Sequence, residues 1–186
     1  MKKRALLLFF IQSMQALASQ LETQLPVDPF EKGQAMVNAT QSELGKNLMQ
    51  AIQQKQTVGA ISFCHTKAIP ITQEKMEQLD AQIKRATDKP RNPKNLADET
   101  EMKIIKIFQG QLKENKLKPI LEKKGKRHFF YAPIVTHQMC LQCHGQRGSD
   151  IKPEVLSKIK DLYPEDQASG YQTNQLRGIF SVSWKD

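Results

Sequence analysis

The sequence predicts an α+β fold in which an antiparallel sheet has flanking helices and a long helix comes first. Apolar residues at helical spacing dominate the early part of the chain, whereas strand patterns come late. Helix and strand patterns do not alternate regularly, which argues against the parallel sheet of a doubly wound fold. We therefore expect an antiparallel sheet with helices packed on it.

Three segments have the apolar spacing of amphipathic helices. The first and longest runs from Glu31 to Gln54. The second runs from Asp98 to Glu114, and Pro119 ends its pattern. A third, shorter helix is predicted from Pro153 to Leu162. The apolar positions of the two longer helices are Met36, Val37, Leu44, Leu48, Met49 and Ile52, then Met102, Ile105, Phe108 and Leu112.

Two later segments have strand patterns, and one earlier segment has a loop pattern. The segment from His128 to Thr136 is dense in aromatic and β-branched residues, which predicts a strand. Pro133 within it indicates a sheet edge or a bulge. The segment from Leu176 to Trp184 alternates and predicts a closing strand. Between the first two helices, the segment from Arg85 to Asn95 is rich in Pro, Lys, Arg and Asn and predicts a polar loop.

The composition is typical of one globular domain. The 186 residues are 39% hydrophobic and 25% charged. The mean hydropathy is -0.56, and no unbroken apolar run reaches about 18 residues, so we exclude a protein with several membrane spans. No internal repeat is visible.

The first 18 residues have the pattern of a secretory signal peptide. Lys2, Lys3 and Arg4 precede an apolar run, and the small-x-small site Ala16-Leu17-Ala18 follows it. The rival interpretation is an uncleaved membrane anchor, but the apolar core is shorter than the ~20 residues of a span. We predict export to the periplasm, with residues 19–186 forming a single domain.

Part of the net charge of +9 lies between Lys113 and Arg127, where lysine and arginine outnumber glutamate. A solvated surface explains such a segment, and so does docking to an acidic redox or signalling protein or to an anionic membrane surface. Membrane contact would then be peripheral at most. Nucleic acid is not an expected partner of an exported protein.

One short motif carries specific chemistry. Cys140 and Cys143 are separated by two residues, and His144 follows at once, which is the C-x-x-C-H motif of c-type haem attachment. Each thiol forms a thioether to the porphyrin, and the adjacent imidazole reaches the iron from one face. One motif predicts one covalently attached haem c.

Two other interpretations use the same residues. A dithiol or disulfide needs only Cys140 and Cys143, but the redox version requires a βαβ context that is missing around them. A structural zinc site would use Cys64, Cys140, Cys143 and His144 as a closed Cys₃His set. In an exported protein, cysteines usually pair as disulfides. If Cys140 and Cys143 are used together, the third cysteine, Cys64, has no disulfide partner.

Four separated strings resemble the exported c-type haem proteins with a PAS-like domain. They run from Ala60 to Cys64, from Arg91 to Asn95, from Phe130 to Gly145, and from Tyr163 to Gly178. The resemblance extends over residues 31–184, and the strings occur in the family's order. One departure is Ala97, where the family usually has proline.

The resemblance implies a PAS-like fold, one covalent haem, and an axial ligand pair made by His144 and Cys64. It also implies that Arg85 and Arg91 pair with the haem propionates, although two solvated arginines would explain the same residues. The segment after Cys64 is only loosely similar to the family, so His65 stays an alternative ligand.

Other possible ligands have simpler explanations. His137 and Met139 are tethered too close to the first thioether to reach the far face of the haem. His128 lies in a predicted strand, where a lone histidine is commonly exposed. An open sixth position is the remaining alternative.

A thiolate ligand stabilises Fe(III) over Fe(II), so Cys64 would be held less strongly after reduction. This ligand pair favours a redox or small-ligand sensor. A periplasmic electron-transfer cytochrome is the alternative, since a carrier benefits from ligands that stay in place. We do not expect an enzyme, because a peroxidase requires an open iron and a distal acid-base residue.

Overall fold

A computed structural model describes residues 28–186 of the chain, and the predicted signal peptide lies outside that range. The centre of the fold is a four-stranded sheet of order β1-β4-β3-β2, in which every neighbouring pair is antiparallel. Its strands are β1 (Gln82–Ala86), β2 (Ile120–Lys124), β3 (Arg127–Val135) and β4 (Leu176–Lys185). The helices are α1 (Pro29–Gln78), α2 (Glu99–Lys113), α3 (Leu141–His144) and α4 (Pro153–Leu162).

The two faces of the sheet carry different cores. On one face, Met36 and Val37 of α1 pack against Phe130, Phe180 and other sheet residues. On the opposite face, Ile104, Ile105 and Phe108 of α2 pack against Tyr131 and Ile179. The period-2 alternation of β3 and β4 therefore supplies both cores, and the predicted α+β class is confirmed.

The long first helix extends well beyond its predicted range. It begins after Asp28, whose carboxylate accepts a hydrogen bond from Phe30 N, and it ends at Gln78 rather than at Gln54. The only interior residue with non-helical dihedral angles is Gln56, at φ 55° and ψ -176°. This break divides α1 into a first half on the sheet and a second half that contains Cys64.

The second half of α1 has its own packing partner. Ile61 packs with Val155 and Ile159 of α4 and with Tyr163, which follows that helix. The second half therefore has a partner that the first half lacks, although Met76 near its end packs against the same sheet core as Met36 and Val37. The two halves also leave a space between them and the sheet.

The other helices match their predicted positions closely. Asp98 is the N-cap of α2 and forms a capping box with Glu101, which explains why the helix starts there. α4 covers the predicted range from Pro153 to Leu162. No helix within residues 28–186 has both the length and the apolar character that a membrane span requires.

Two of the four strands were not predicted. Arg85 and Ala86, assigned to a polar loop, belong to β1 and pair with Phe180 and Ile179. β2 lies inside the basic segment and pairs with β3 through a hairpin. The basic side chains Lys123 and Lys124 are largely exposed and form surface ion pairs. The predicted docking role of this segment stays a prediction.

Pro133 lies where the sheet tolerates it. The last β2–β3 pair is Ile120 with Tyr131, so Pro133 is beyond the end of β2. It is also one residue before the register shift at Ile134 and Val135. The predicted edge or bulge at this proline is confirmed.

Candidate functional site

A cavity of about 350 Å³ lies between the two halves of α1 and the sheet. Its walls are mostly apolar, with Leu44, Leu48 and Ile52 from the first half of α1 and Phe180 from β4. All the predicted site residues line this one cavity, namely Cys64, Arg85, Arg91, Cys140, Cys143 and His144. The fold therefore brings together side chains that are far apart in the sequence.

The C-x-x-C-H segment is a compact turn between β3 and a polar loop. Cys140 ends a short 3₁₀ turn, and the single helical turn α3 follows it directly. Gly145 ends α3, and its N–H donates to Leu141 O at 2.9 Å. A Cβ at Gly145 would lie 2.5 Å from the Asp150 Cβ, so only glycine fits this close return of the chain.

His144 is fixed in one tautomer by its surroundings. Its Nδ1 lies 2.7 Å from Ala168 O, and since a carbonyl oxygen only accepts, Nδ1 carries the proton. Burial lowers the pKa of His144 well below its ordinary value of 6.5, and Arg177 and Arg91 lower it further. The neutral ring therefore keeps the lone pair of Nε2 available for a metal.

Arg91 is a buried connector of the loops around the motif. Its Nε donates to Asp166 Oδ1 at 2.9 Å, and its Nη2 donates to Cys143 O at 2.7 Å and to Ala168 O at 3.2 Å. The ion pair with Asp166 balances its charge. These contacts give Arg91 a structural role, and its predicted propionate contact stays a prediction.

Cys64 borders the cavity from the second half of α1. Burial raises the pKa of its thiol, while the positive charges of Arg85 and Arg91 oppose that rise. Earlier in α1, Thr57 donates a hydrogen bond to Gln142 Oε1 at 3.0 Å, which ties the break in α1 to the C-x-x-C-H segment. The thiol of Cys64 is thus held beside the motif by the shape of α1.

The three cysteines are all free, and Cys140 and Cys143 form no disulfide. Within the part of the chain that the structure describes, no three His, Cys, Asp or Glu side chains are arranged to hold a metal ion. The Cys₃His zinc hypothesis therefore has no support in the arrangement of these side chains.

The other candidate ligands are placed less favourably. His65 is exposed, does not line the cavity, and packs its ring edge against Tyr163 at a centroid distance of 5.0 Å. His137 is exposed, whereas Met139 lines the cavity. The expectation that His128 is exposed was wrong, because it is 5% exposed and stacks on the indole of the neighbouring strand.

Sequence reasoning missed two polar residues of the cavity wall, Tyr163 and Arg177. Burial raises the pKa of Tyr163 to about 12, with Cys64 adding to the effect, so its hydroxyl is protonated. Both residues lie within the strings that carry the family resemblance. The family resemblance therefore included both residues, but nothing in the local sequence pattern distinguished them from surface residues.

Comparison with known proteins gives one family and one solved fold. The family model described as Tll0287-like, Tll0287, matches residues 3–184. The crystal structure of the cyanobacterial heme-protein Tll0287 superposes with a TM-score of 0.63 at 19% identity, over 86% of this chain and 98% of that chain. At that identity the likeness establishes the fold alone. No curated protein matches the chain. Since the family model extends over nearly the whole sequence, the chain belongs to the Tll0287-like family.

Proposed function

We propose that the protein binds one haem covalently as haem c and acts as an exported redox or small-ligand sensor in the periplasm. The observation that carries the proposal is the convergence of Cys140, Cys143, His144 and Cys64 on one cavity. The heme-protein Tll0287, which shares the fold, supports it. When bound, the haem supplies a one-electron iron couple and a place for a small gas.

The donor set fits such a group. Cys140 and Cys143 are free thiols at the spacing of c-type attachment, and both line the cavity. His144 follows directly and keeps Nε2 unprotonated because Nδ1 donates to Ala168 O. The apolar walls would exclude water from the flat faces of a porphyrin. Cys140 and Cys143 would form the two thioethers, and His144 would be the first axial ligand.

Cys64 is the proposed second axial ligand. It lines the same cavity from α1, whereas the alternative His65 is exposed on the helix and directed elsewhere in the fold. Burial favours the protonated thiol, so the thiolate depends on positive charge nearby. A loss of positive charge in the cavity would favour return of the proton to Sγ of Cys64.

This dependence favours sensing over simple electron transfer. Cys64 lies on the second half of α1, which packs on α4 and is separated from the first half by the break at Gln56. A change in the charge of Sγ therefore acts on a helix segment with its own packing contacts. A periplasmic electron-transfer cytochrome is the second candidate, and it would require Cys64 to stay in place in both oxidation states. We propose no enzymatic activity.

The test is the pair of purified wild type and Cys64→Ser, made in a host that matures c-type haem. The wild type should keep one haem after acid-acetone extraction, because thioethers are covalent. Cys64→Ser should lose the low-spin ferric spectrum and raise the midpoint potential by on the order of 100 mV. His65→Ala, an exposed neighbour on the same helix, is the matched control and should behave as wild type.

Two outcomes would contradict the proposal. Pigment that extracts into acid-acetone would refute covalent attachment. An unchanged ferric spectrum and potential in Cys64→Ser would refute Cys64 as a ligand and remove the main reason to prefer sensing over electron transfer.

A further inference from the structure

The cavity wall carries three arginines, Arg85, Arg91 and Arg177, and among the described residues only Arg91 has a carboxylate partner. Arg91 pairs with Asp166. Within residues 28–186, neither Arg85 nor Arg177 forms a salt bridge. Burial lowers the pKa of both guanidinium groups, which reflects the cost of their unbalanced charge. Two positive charges on this wall therefore lack a counter-charge from residues 28–186.

Arg177 reaches the cavity because β4 contains a bulge. Ile134 of β3 pairs with Gly178, but the next residue, Val135, pairs with Leu176, so Arg177 is an extra residue in β4. Regular alternation from Ile179 would place Arg177 on the α2 face of the sheet. The bulge reverses this and aims the side chain at the cavity.

The bulge is fixed by a close contact between strands. Gly178 has a φ of 159°, and a Cβ there would lie 2.5 Å from Ala86 O. The hydroxyl of Thr87 donates to Arg177 O at 2.9 Å and accepts from Arg177 Nη1 at 3.0 Å. Only glycine fits at this approach of β1 to β4, so the position of Arg177 is built into the sheet.

The guanidinium of Arg177 is held in place but not neutralised. It lies 5.3 Å from the ring centroid of Tyr171, and Nη1 also donates to Lys89 O at 3.3 Å. Its Nε is buried without a hydrogen-bond partner. Arg85, on the adjacent β1, donates no side-chain hydrogen bond to any described residue. Arg85 and Arg177 are both half-buried. Partial removal of an unpaired cation from water is costly, so a positioned pair of them predicts an anionic ligand.

We infer that Arg85 and Arg177 form a two-point anchor for the two propionate carboxylates of the haem, and that Arg91 holds the surrounding loops instead. The inference rests on the proposed function and deepens it. Two unpaired cations match two carboxylates in charge, and guanidinium is well suited to bind carboxylate. Arg177 thereby becomes a positioning residue for the cofactor.

The test measures the ionisation of the propionates directly. Ferric holoprotein carrying haem labelled with ¹³C at its propionate carboxyls is titrated by infrared spectroscopy. In the wild type both carboxyls should stay ionised below the ordinary carboxyl pKa of about 4.3, because a cation favours the charged form. Arg177→Gln and Arg85→Gln should each raise the proton affinity of a propionate at least tenfold, and Arg177→Lys should restore part of the loss.

Arg127→Gln is the matched control, since Arg127 lies on β3 and hydrogen-bonds Ser183 without lining the cavity. Propionate titrations of Arg85→Gln and Arg177→Gln that superimpose on that control would overturn the inference. A protonated propionate at pH 5 in the wild type would overturn it even if the variants fail to fold. Covalent haem is assayed on the same samples, so its absence from the wild type would refute the proposed function, whereas normal haem with unshifted propionates would refute only the anchor.

Discussion

Arg91 and Asp166 form a buried two-point ion pair at the base of the C-x-x-C-H segment. Nε lies 2.9 Å from Oδ1 and Nη2 lies 3.2 Å from Oδ2, and the two side chains are only 10% and 4% exposed. The guanidinium also donates to the carbonyls of Cys143 and Ala168. One ion pair therefore fixes the motif, the loop that orients His144, and the segment after β1.

Removal of this arginine should destabilise the protein strongly. Arg91→Gln leaves the buried Asp166 carboxylate with a hydrogen bond from Ala168 N at 3.0 Å and, as its ion-pair partner, only Arg147 at 3.5 Å. We expect a loss of about 3–5 kcal/mol in the free energy of unfolding. Arg147→Gln removes a side chain that is 47% exposed and should change stability by about 1 kcal/mol at most. Urea denaturation of both variants checks this, and equal losses would contradict it.

Replacement of Gln56 by glycine should stabilise the protein. Its dihedral angles, φ 55° and ψ -176°, lie in a region used almost only by glycine, and its side chain is exposed. Gln56→Gly should raise the free energy of unfolding by roughly 1 kcal/mol, whereas Gln56→Val should lower it. Thermal denaturation of the two variants provides the measurement. A Gly variant less stable than wild type would show that the break is not strained.

Two glycines in helices should respond oppositely to alanine. A Cβ at Gly33 of α1 would lie 2.5 Å from the Phe130 ring, so Gly33→Ala should cost about 1–3 kcal/mol by overpacking. Gly110 of α2 is exposed with nothing near its Cβ position, so Gly110→Ala should add about 0.5–1 kcal/mol. Chemical denaturation compares them. Similar effects at both sites would disprove the close approach of α1 to β3.

The Cys143 thiol should be unreactive in folded, haem-free protein. Burial raises its pKa from 9.0 to about 11; the positive charge of Arg91 opposes this rise, and the other two cysteines add to it. At pH 8 the thiolate fraction of folded Cys143 should therefore be about 100-fold lower than that of an ordinary cysteine. Alkylation followed by mass spectrometry should be correspondingly slower than in urea. A rate equal to that in urea would contradict the prediction.

The same pKa shift sets a pH dependence of stability. The folded state keeps the Cys143 proton more tightly than the unfolded state does. This contribution is therefore fully present below pH 9 and is lost as the pH rises from 9.0 towards about 11. Denaturation of the haem-free protein across this range should show the decline, and Cys143→Ala should reduce its slope. A wild-type stability that stays constant over this range would be evidence against the shift.

Local signals predicted some elements closely. The apolar stripe after Asp98, with Pro119 ending the pattern, was sufficient for α2, and the alternation from Leu176 was sufficient for β4. The strands β1 and β2 escaped prediction because their residues include Lys, Arg, Gln and Glu, and only pairing with distant strands makes them extended. The break at Gln56 could not be predicted because neither proline nor glycine stands at that position.

The residues of the candidate site also differ in whether local sequence could predict them. The spacing of Cys140, Cys143 and His144 is a local property, so the sequence alone identified those residues. Cys64 was predicted as a haem ligand only through family resemblance, because its place beside the motif depends on the packing of α1. Arg177 could not be predicted from local sequence, because its direction depends on a register shift between two strands.

The position of β4 has a consequence for how the chain acquires its fold during synthesis. β4 lies inside the sheet between β1 and β3, although it follows every other described strand in the sequence. A nascent chain that has emerged only as far as residue 175 contains β1 and the β2–β3 hairpin, with no strand to join them. Phe180, Val182 and Trp184, which are part of the core against α1, arrive only then. The core between α1 and the sheet is therefore incomplete until β4 is available, so a chain that lacks residues 176–186 should not fold.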